Sequence, residues 1–143
     1  MKYLLPVVFI LFTGSLGAAQ SGAQEGAFAP VPAENVDNLN EFKWIKRPLL
    51  VFSDSPLNPD FLRQMALLEE GAAQLAERDV VVIIDTDPDA RSALREEMRP
   101  RGFALVLIGK DGGVKLRKPL PWNVRELSRS IDKMPMRQEE MKR

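Results

Sequence analysis

The stretch VVVIIDTDPDARSALREE, Val80–Glu97, decides the fold. Its second half imitates a calcium loop. Asp85, Asp87 and Asp89 alternate, and Glu96 stands where an EF-hand loop places its bidentate glutamate. Its first half argues otherwise. Val80–Ile84 is an unbroken β-branched run, the signature of a strand covered on both faces, as in parallel sheets. An EF-hand loop is flanked by helices and needs glycine at its sixth position, where this chain has Ala90. Pro88 stiffens the loop further. The plainer reading makes Asp87 an N-cap, Pro88 the first helical residue and Asp89 a complement to the helix dipole. Ala90, Leu94 and Met98 then line the apolar edge of a short helix that Pro100 stops.

Upstream, PLLVF (Pro48–Phe52) reads as a second buried strand, bounded by Lys46-Arg47 and by Ser53-Asp54-Ser55-Pro56. Asn58-Pro59 opens a helix. Phe61, Met65, Leu68, Ala72 and Leu75 share one face of it, and the periodicity predicts one continuous helix to about Arg78. Strand, helix and strand make a right-handed βαβ unit.

Downstream, FALVLI (Phe103–Ile108) is a third strand, and Asp111-Gly112 marks a hairpin turn. Val114–Lys118 alternates apolar and basic residues, which predicts an edge strand guarded by charge. Lys110, Lys115, Arg117 and Lys118 could alternatively form a basic binding patch. The last helix begins at Asn123 with Glu126 in a capping-box position, buries Val124, Leu127, Ile131 and Met134, and ends at Pro135. The predicted order is β-α-β-α-β-β-α: an α/β three-layer sandwich whose mixed four-stranded sheet carries helices on both faces. The first and third strands are expected at its centre.

The whole chain has 143 residues, with 20 basic and 20 acidic side chains, and therefore no net charge. Nucleic-acid binding needs a basic excess, so it is not expected. There is no cysteine and no histidine. Thiolate nucleophiles, disulfides and iron–sulfur sites are excluded, together with Ser–His–Asp triads. Carboxylate, amine, hydroxyl and methionine chemistry remain. Met134, Met136 and Met141 could in principle hold Cu(I), but such residues more commonly fill gaps or lie on a surface. Trp44 and Trp122, near the two ends of the domain, read as partly buried packing anchors.

The N-terminus, MKYLLPVVFILFTGSLGAA, has a cationic start, an apolar run and small residues after it. It predicts a signal peptide over 1–19, with cleavage as late as residue 23, and no stable membrane span afterwards. No cysteine follows the run, which excludes a lipoprotein. The chain is expected to be secreted or periplasmic. Residues 20–36 read as a disordered leader, 37–134 as the domain and 135–143 as a tail.

The runs RPLLVFSDSPLNPDFLRQ, LAERDVVVIIDTD, RGFALVLIGKDGGVKLR and IDKMPMRQEEM resemble the bacterial DUDES-type domain of unknown function. That family is a peroxiredoxin-like branch of the thioredoxin-like superfamily. Related domains occur in animal extracellular sushi-repeat proteins. The resemblance implies a thioredoxin-like fold and no assigned activity. In the superfamily's oxidoreductases a cysteine occupies the loop after the first strand, where the next helix's N-terminus stabilises its thiolate. Here that loop is Ser53–Asn58, without sulfur. The superfamily's cis-proline is also missing; Phe103 lies nearest its place.

A binding or interaction module without thiol redox activity is therefore the expected function, with an unidentified protein or small ligand as its partner. The candidate face comprises Ser53, Asp54, Ser55, Asp85, Asp87 and Phe103, at the loop ends where α/β sheets place ligands. No catalytic residue, metal ligand or cofactor is assigned. A non-redox enzyme using a Ser–Lys dyad or a carboxylate pair, and a carboxylate or methionine metal site, are the alternatives.

Overall fold

The computed structural model describes residues 28–143. The predicted signal peptide and the first part of the predicted leader lie outside these residues. Strand β1 covers Val31–Pro32, β2 Arg47–Phe52, β3 Val80–Asp85, β4 Ala104–Ile108 and β5 Val114–Lys118. They form one sheet in the order β1-β3-β2-β4-β5. β2 and β3 run parallel with Arg47 opposite Val80 and Phe52 opposite Asp85. β4 is antiparallel to β2, and β5 is antiparallel to β4. The βαβ unit, the central β2 and β4 and the charged edge β5 are as the sequence predicts.

Five strands among the described residues, rather than four, is a correction. Val31 and Pro32 pair in parallel with Ile83 and Ile84 on the outer edge of β3. A proline is tolerated there because an edge strand has free N–H positions. Ala33 and Val36 are buried just behind it. The segment expected to be a disordered leader is thus partly built into the sheet. It covers an edge that would otherwise expose the most β-branched run in the chain.

The sheet's alternation divides the core in two. Leu49, Val51, Leu105 and Leu107 face Phe61, Leu68, Leu75, Leu127 and Ile131. Leu50, Phe52, Ile83 and Val106 face Leu94, Ala33 and Val36. Every residue of β2 and of β4 is buried, as expected for strands covered on both sides.

The predicted long helix is two: α1, Pro59–Glu70, and α2, Ala72–Glu77, meeting at Gly71. Asn58 caps α1 as expected, accepting from the amides of Asp60 and Phe61. A Cβ on Gly71 would lie 2.5 Å from the Val124 Cβ and 2.5 and 2.6 Å from its methyls. Rotation of Val124 cannot relieve the contact with its own Cβ. Gly71→Ala is therefore expected to lower stability by about 1–3 kcal/mol, although alanine is the better helix former. Urea unfolding measures this. An unchanged or stabilised variant would show that α2 and the helix that carries Val124 separate freely.

Asp87 and Pro88 open a 3-10 turn, Pro88–Ala90, not the helix itself. Helix α3, Ala93–Met98, starts later, with the Ser92 hydroxyl accepting from the Arg95 amide. Ala90 is exposed, and Leu94 alone of the three predicted edge residues is fully buried. Helix α4, Val124–Asp132, is capped by Asn123. Glu126 does not close a capping box; its carboxylate instead lies 3.5 Å from Arg129. Residues expected to be a tail form helix α5, Pro135–Met141, in which Arg137 is buried. No helix among the described residues is long and apolar enough to cross a membrane.

Candidate functional site

Parallel pairing brings the C-terminal ends of β2 and β3 side by side, with Phe52 opposite Asp85. Ser53 follows directly and is fully buried. Its amide donates to the Asp85 carbonyl at 2.8 Å. Its hydroxyl donates to the Ser55 carbonyl at 2.8 Å and accepts from the Ser55 amide at 3.3 Å. Ser55 Oγ in turn accepts from the Leu57 amide. These serines shape the turn that delivers the chain to the Asn58 cap.

Asp85, 7% exposed, ends β3. Its carboxylate accepts from the Ser92 hydroxyl and from Arg95 Nε and Nη2, at 3.2 and 2.8 Å for the latter two. Arg95 Nη2 also donates to the Ser53 carbonyl at 2.9 Å. The guanidinium lies over the Phe52 ring, 5.6 Å from its centroid. Burial by itself would raise the Asp85 carboxyl, but the hydrogen bonds from Arg95 and Ser92 and the Arg95 charge outweigh it and hold the group below the usual aspartate range. Asp85 is thus an ionised anchor that ties β3, α3 and the Ser53 loop together.

Of the six predicted residues, Ser53, Ser55 and Asp85 meet in this node. Asp54 and Asp87 are exposed at its margin, Asp87 capping the turn before α3. Phe103 is buried in the core on the other face of the sheet and lines a separate groove. Sequence reasoning missed Ser92 and Arg95. The signal was present: a carboxylate ending a buried strand needs a cation, and Arg95 is ten residues on. Asp89 and Glu96 are exposed and do not join Asp85; among the described residues no three carboxylates gather in metal-binding geometry.

The opposite end of β2 carries a second charged cluster. Arg47, expected to flank the strand, lies within it and is 1% exposed. It donates to both Glu140 oxygens, at 3.2 and 3.0 Å, and to the Arg78 carbonyl at 2.8 Å. Lys110 Nζ reaches Glu140 at 2.6 Å and Asp79 at 2.8 Å. Asp132 accepts from Arg78 and Arg137. Burial would raise the Glu140 carboxyl, yet the hydrogen bonds and charges of Lys110 and Arg47 lower it to about 2. These contacts fasten α5 to the sheet.

The proposed basic patch accordingly divides. Lys110 belongs to this buried cluster, and Lys115 pairs with Asp111 within the hairpin. Arg117 donates to the carbonyls of Met98 and Arg99, closing the open end of α3, and Lys118 sits 4.7 Å from the Trp122 ring centroid. Trp122 packs partly buried against the core, but Trp44 is 63% exposed and is no packing anchor. Gln64, buried, holds Trp122 by two 2.8 Å hydrogen bonds to its backbone. Met134 packs against the core, Met136 is half-buried and Met141 is exposed.

Solved structures similar to the chain include peroxiredoxins. The chain matches the reduced 2-Cys peroxiredoxin of Plasmodium vivax with a TM-score of 0.57 at 18% identity, over 74% of this chain and 85% of that one. It matches Prx1a of Plasmodium yoelii with a TM-score of 0.52 at 20% identity, over 73% and 80% of the two chains. The yeast mitochondrial 1-Cys peroxiredoxin gives a TM-score of 0.50 at 19% identity, over 76% and 99%. At such identities the likeness establishes the thioredoxin-like fold alone. No curated protein sequence matches the chain. The family model described as "Domain of unknown function (DUF4174)" matches residues 38–140. With its peroxiredoxin-like sheet, its cysteine-free loop and that match over most of its length, the chain belongs to this family of domains of unknown function.

Proposed function

We propose that the chain is an exported binding module that uses the thioredoxin-like scaffold without thiol chemistry. The observation that carries this reading is the state of Ser53. It stands in the loop where the fold's oxidoreductases need a thiolate, yet it is fully buried and its hydroxyl proton is committed to the Ser55 carbonyl. Its neighbour Asp85 is likewise held by Arg95 and Ser92. A site organised in this way supports a shape; it does not supply a nucleophile. Lys110, the one lysine buried among the described residues, is bound to Asp79 and Glu140 at the far end of β2, roughly 20 Å away for a six-residue strand. Lys118, nearer, has its ammonium over Trp122. Neither supports a Ser–Lys dyad. Export rests on the signal-like N-terminus.

One preparation tests both parts. Protein recovered from the exported fraction of the source cells is expected to begin at Gln20 or Gln24. The same protein is expected to consume no hydrogen peroxide in the presence of dithiothreitol. Turnover above a heat-killed sample, or a full-length chain confined to the cytoplasm, would refute the reading.

A further inference from the structure

Arg99, Arg101, Arg117 and Lys118 surround a groove of about 410 Å³, with Phe103 and Pro119 as its apolar wall. That volume lies in the range of small-molecule sites, roughly 300–1,000 Å³. Among the described residues no carboxylate lines it. In a chain with as many acids as bases this is a local imbalance, since Arg47, Arg78, Arg95 and Arg137 are all paired with carboxylates.

Two of the four cations, Arg117 and Lys118, are held by contacts within the fold, while Arg99 and Arg101 are exposed. Arg117 is held by its hydrogen bonds to the carbonyls of Met98 and Arg99, at 2.7 and 3.3 Å. Lys118 is held against Trp122. Arg99 has left-handed backbone, φ 47°, and its amide donates to the Arg95 carbonyl, which turns the chain sharply after α3. Among the described residues the side chains of Arg99 and Arg101 have no carboxylate partner within 4.0 Å. The groove also lies at the Ser53 end of the sheet, because Ala104 pairs with Phe52.

We infer that this groove binds a small organic dianion, a phosphate or paired carboxylates on an apolar body, with Arg99 and Arg101 gripping the charge and Phe103 and Pro119 facing the body. Arginine suits this role because its planar fork donates two parallel hydrogen bonds to phosphate or carboxylate. The inference rests on the reading of the chain as a binding module, and it names that module's site and ligand class.

Phenyl phosphate, inorganic phosphate, phthalate and phenol are the probes, titrated into isotope-labelled protein and followed by amide chemical shifts. Phenyl phosphate is expected to shift Gly102, Phe103 and Lys118 saturably and more tightly than inorganic phosphate or phenol. Added NaCl is expected to weaken it. Phthalate binding more tightly than phenyl phosphate would assign the site to paired carboxylates, weaker phthalate binding would assign it to phosphate, and equal binding would support a site for either dianion. The double variant Arg99→Asn, Arg101→Gln is expected to lose at least tenfold in affinity at unchanged melting temperature; asparagine tolerates the left-handed backbone at residue 99. Lys46→Gln, exposed at the other end of β2, is expected to bind as the parent does. Shifts absent from the groove, or equal affinity in the double variant, would overturn the inference. Peroxide turnover, by contrast, would overturn the binding-module reading beneath it.

Discussion

Glu140→Ala is expected to destabilise the protein by about 3 kcal/mol, measured by urea or guanidinium unfolding. Glu140 lies on helix α5. Here its carboxylate serves three cations: it accepts hydrogen bonds from Arg47 and Lys110 and lies 3.6 Å from Arg137 Nη1. Arg47 is 1% exposed and Lys110 is 8% exposed. Without Glu140, Arg47 keeps only its bond to the Arg78 carbonyl, and Lys110 keeps only Asp79. Removing one partner of a buried pair strands the other charge, which costs about 3–5 kcal/mol. The lower figure applies because the Glu140 side chain is 23% exposed and water partly screens it. Arg47→Met together with Glu140→Gln should cost less than Glu140→Ala alone, because no guanidinium is left unpaired. A loss below about 1 kcal/mol, the worth of a surface pair, would mean that the cluster is solvated in solution.

The same residue sets an acid limit. The Glu140 carboxyl titrates near 4.5 when free and is held at about 2 in the fold. A depressed folded value means that the unfolded chain binds the proton first. The contribution is therefore complete above pH 4.5 and disappears as the pH falls toward 2. Asp132, lowered by its hydrogen bonds to Arg78 and Arg137 despite some burial, and Asp85, lowered as described above, titrate in the same direction. Stability measured against pH should drop across that acid window, and Glu140→Gln should flatten the drop. An equal slope in the variant would assign the acid sensitivity to other carboxylates.

Asp85→Ala should be at least as damaging, about 3–5 kcal/mol. Both partners are well covered here, with side-chain exposures of 6% for Asp85 and 11% for Arg95. The substitution strips two charge-assisted hydrogen bonds from Arg95 and the acceptor from Ser92 Oγ, which itself caps α3. Asp85→Asn keeps an acceptor for Ser92 and should lose less than alanine does. Hydrogen exchange localises the effect: the Arg95 amide, bonded to Ser92 Oγ, should exchange faster in Asp85→Ala while the β4 amides hold. Parent-like stability in Asp85→Ala would show that the node is incidental. The Ser53 loop would then be free for another role.

The elements themselves were largely legible in the residues. An unbroken β-branched run, caps at Asn58 and Asn123 and an Asp-Gly turn act over a few residues, so they can be read where they stand. The break at Gly71 was not legible, because what forbids a side chain there is Val124, brought in from another helix. Nor was β1 legible: two residues carry no periodicity, and only the open edge of β3 makes Val31–Pro32 a strand.

Composition alone settled that these 143 residues carry no thiol, since none of them is cysteine. Tertiary structure alone decided which charges are spent on holding the fold and which stay without a carboxylate partner among the described residues. Arg47 and Glu140 are 93 residues apart in sequence, and Lys110 and Lys118 belong to the same basic stretch. Yet Lys110 is buried against carboxylates from two other elements, and Lys118 borders an open groove. Ion pairing is set by distance and solvent exclusion, and neither exists until strands and helices distant along the chain have packed.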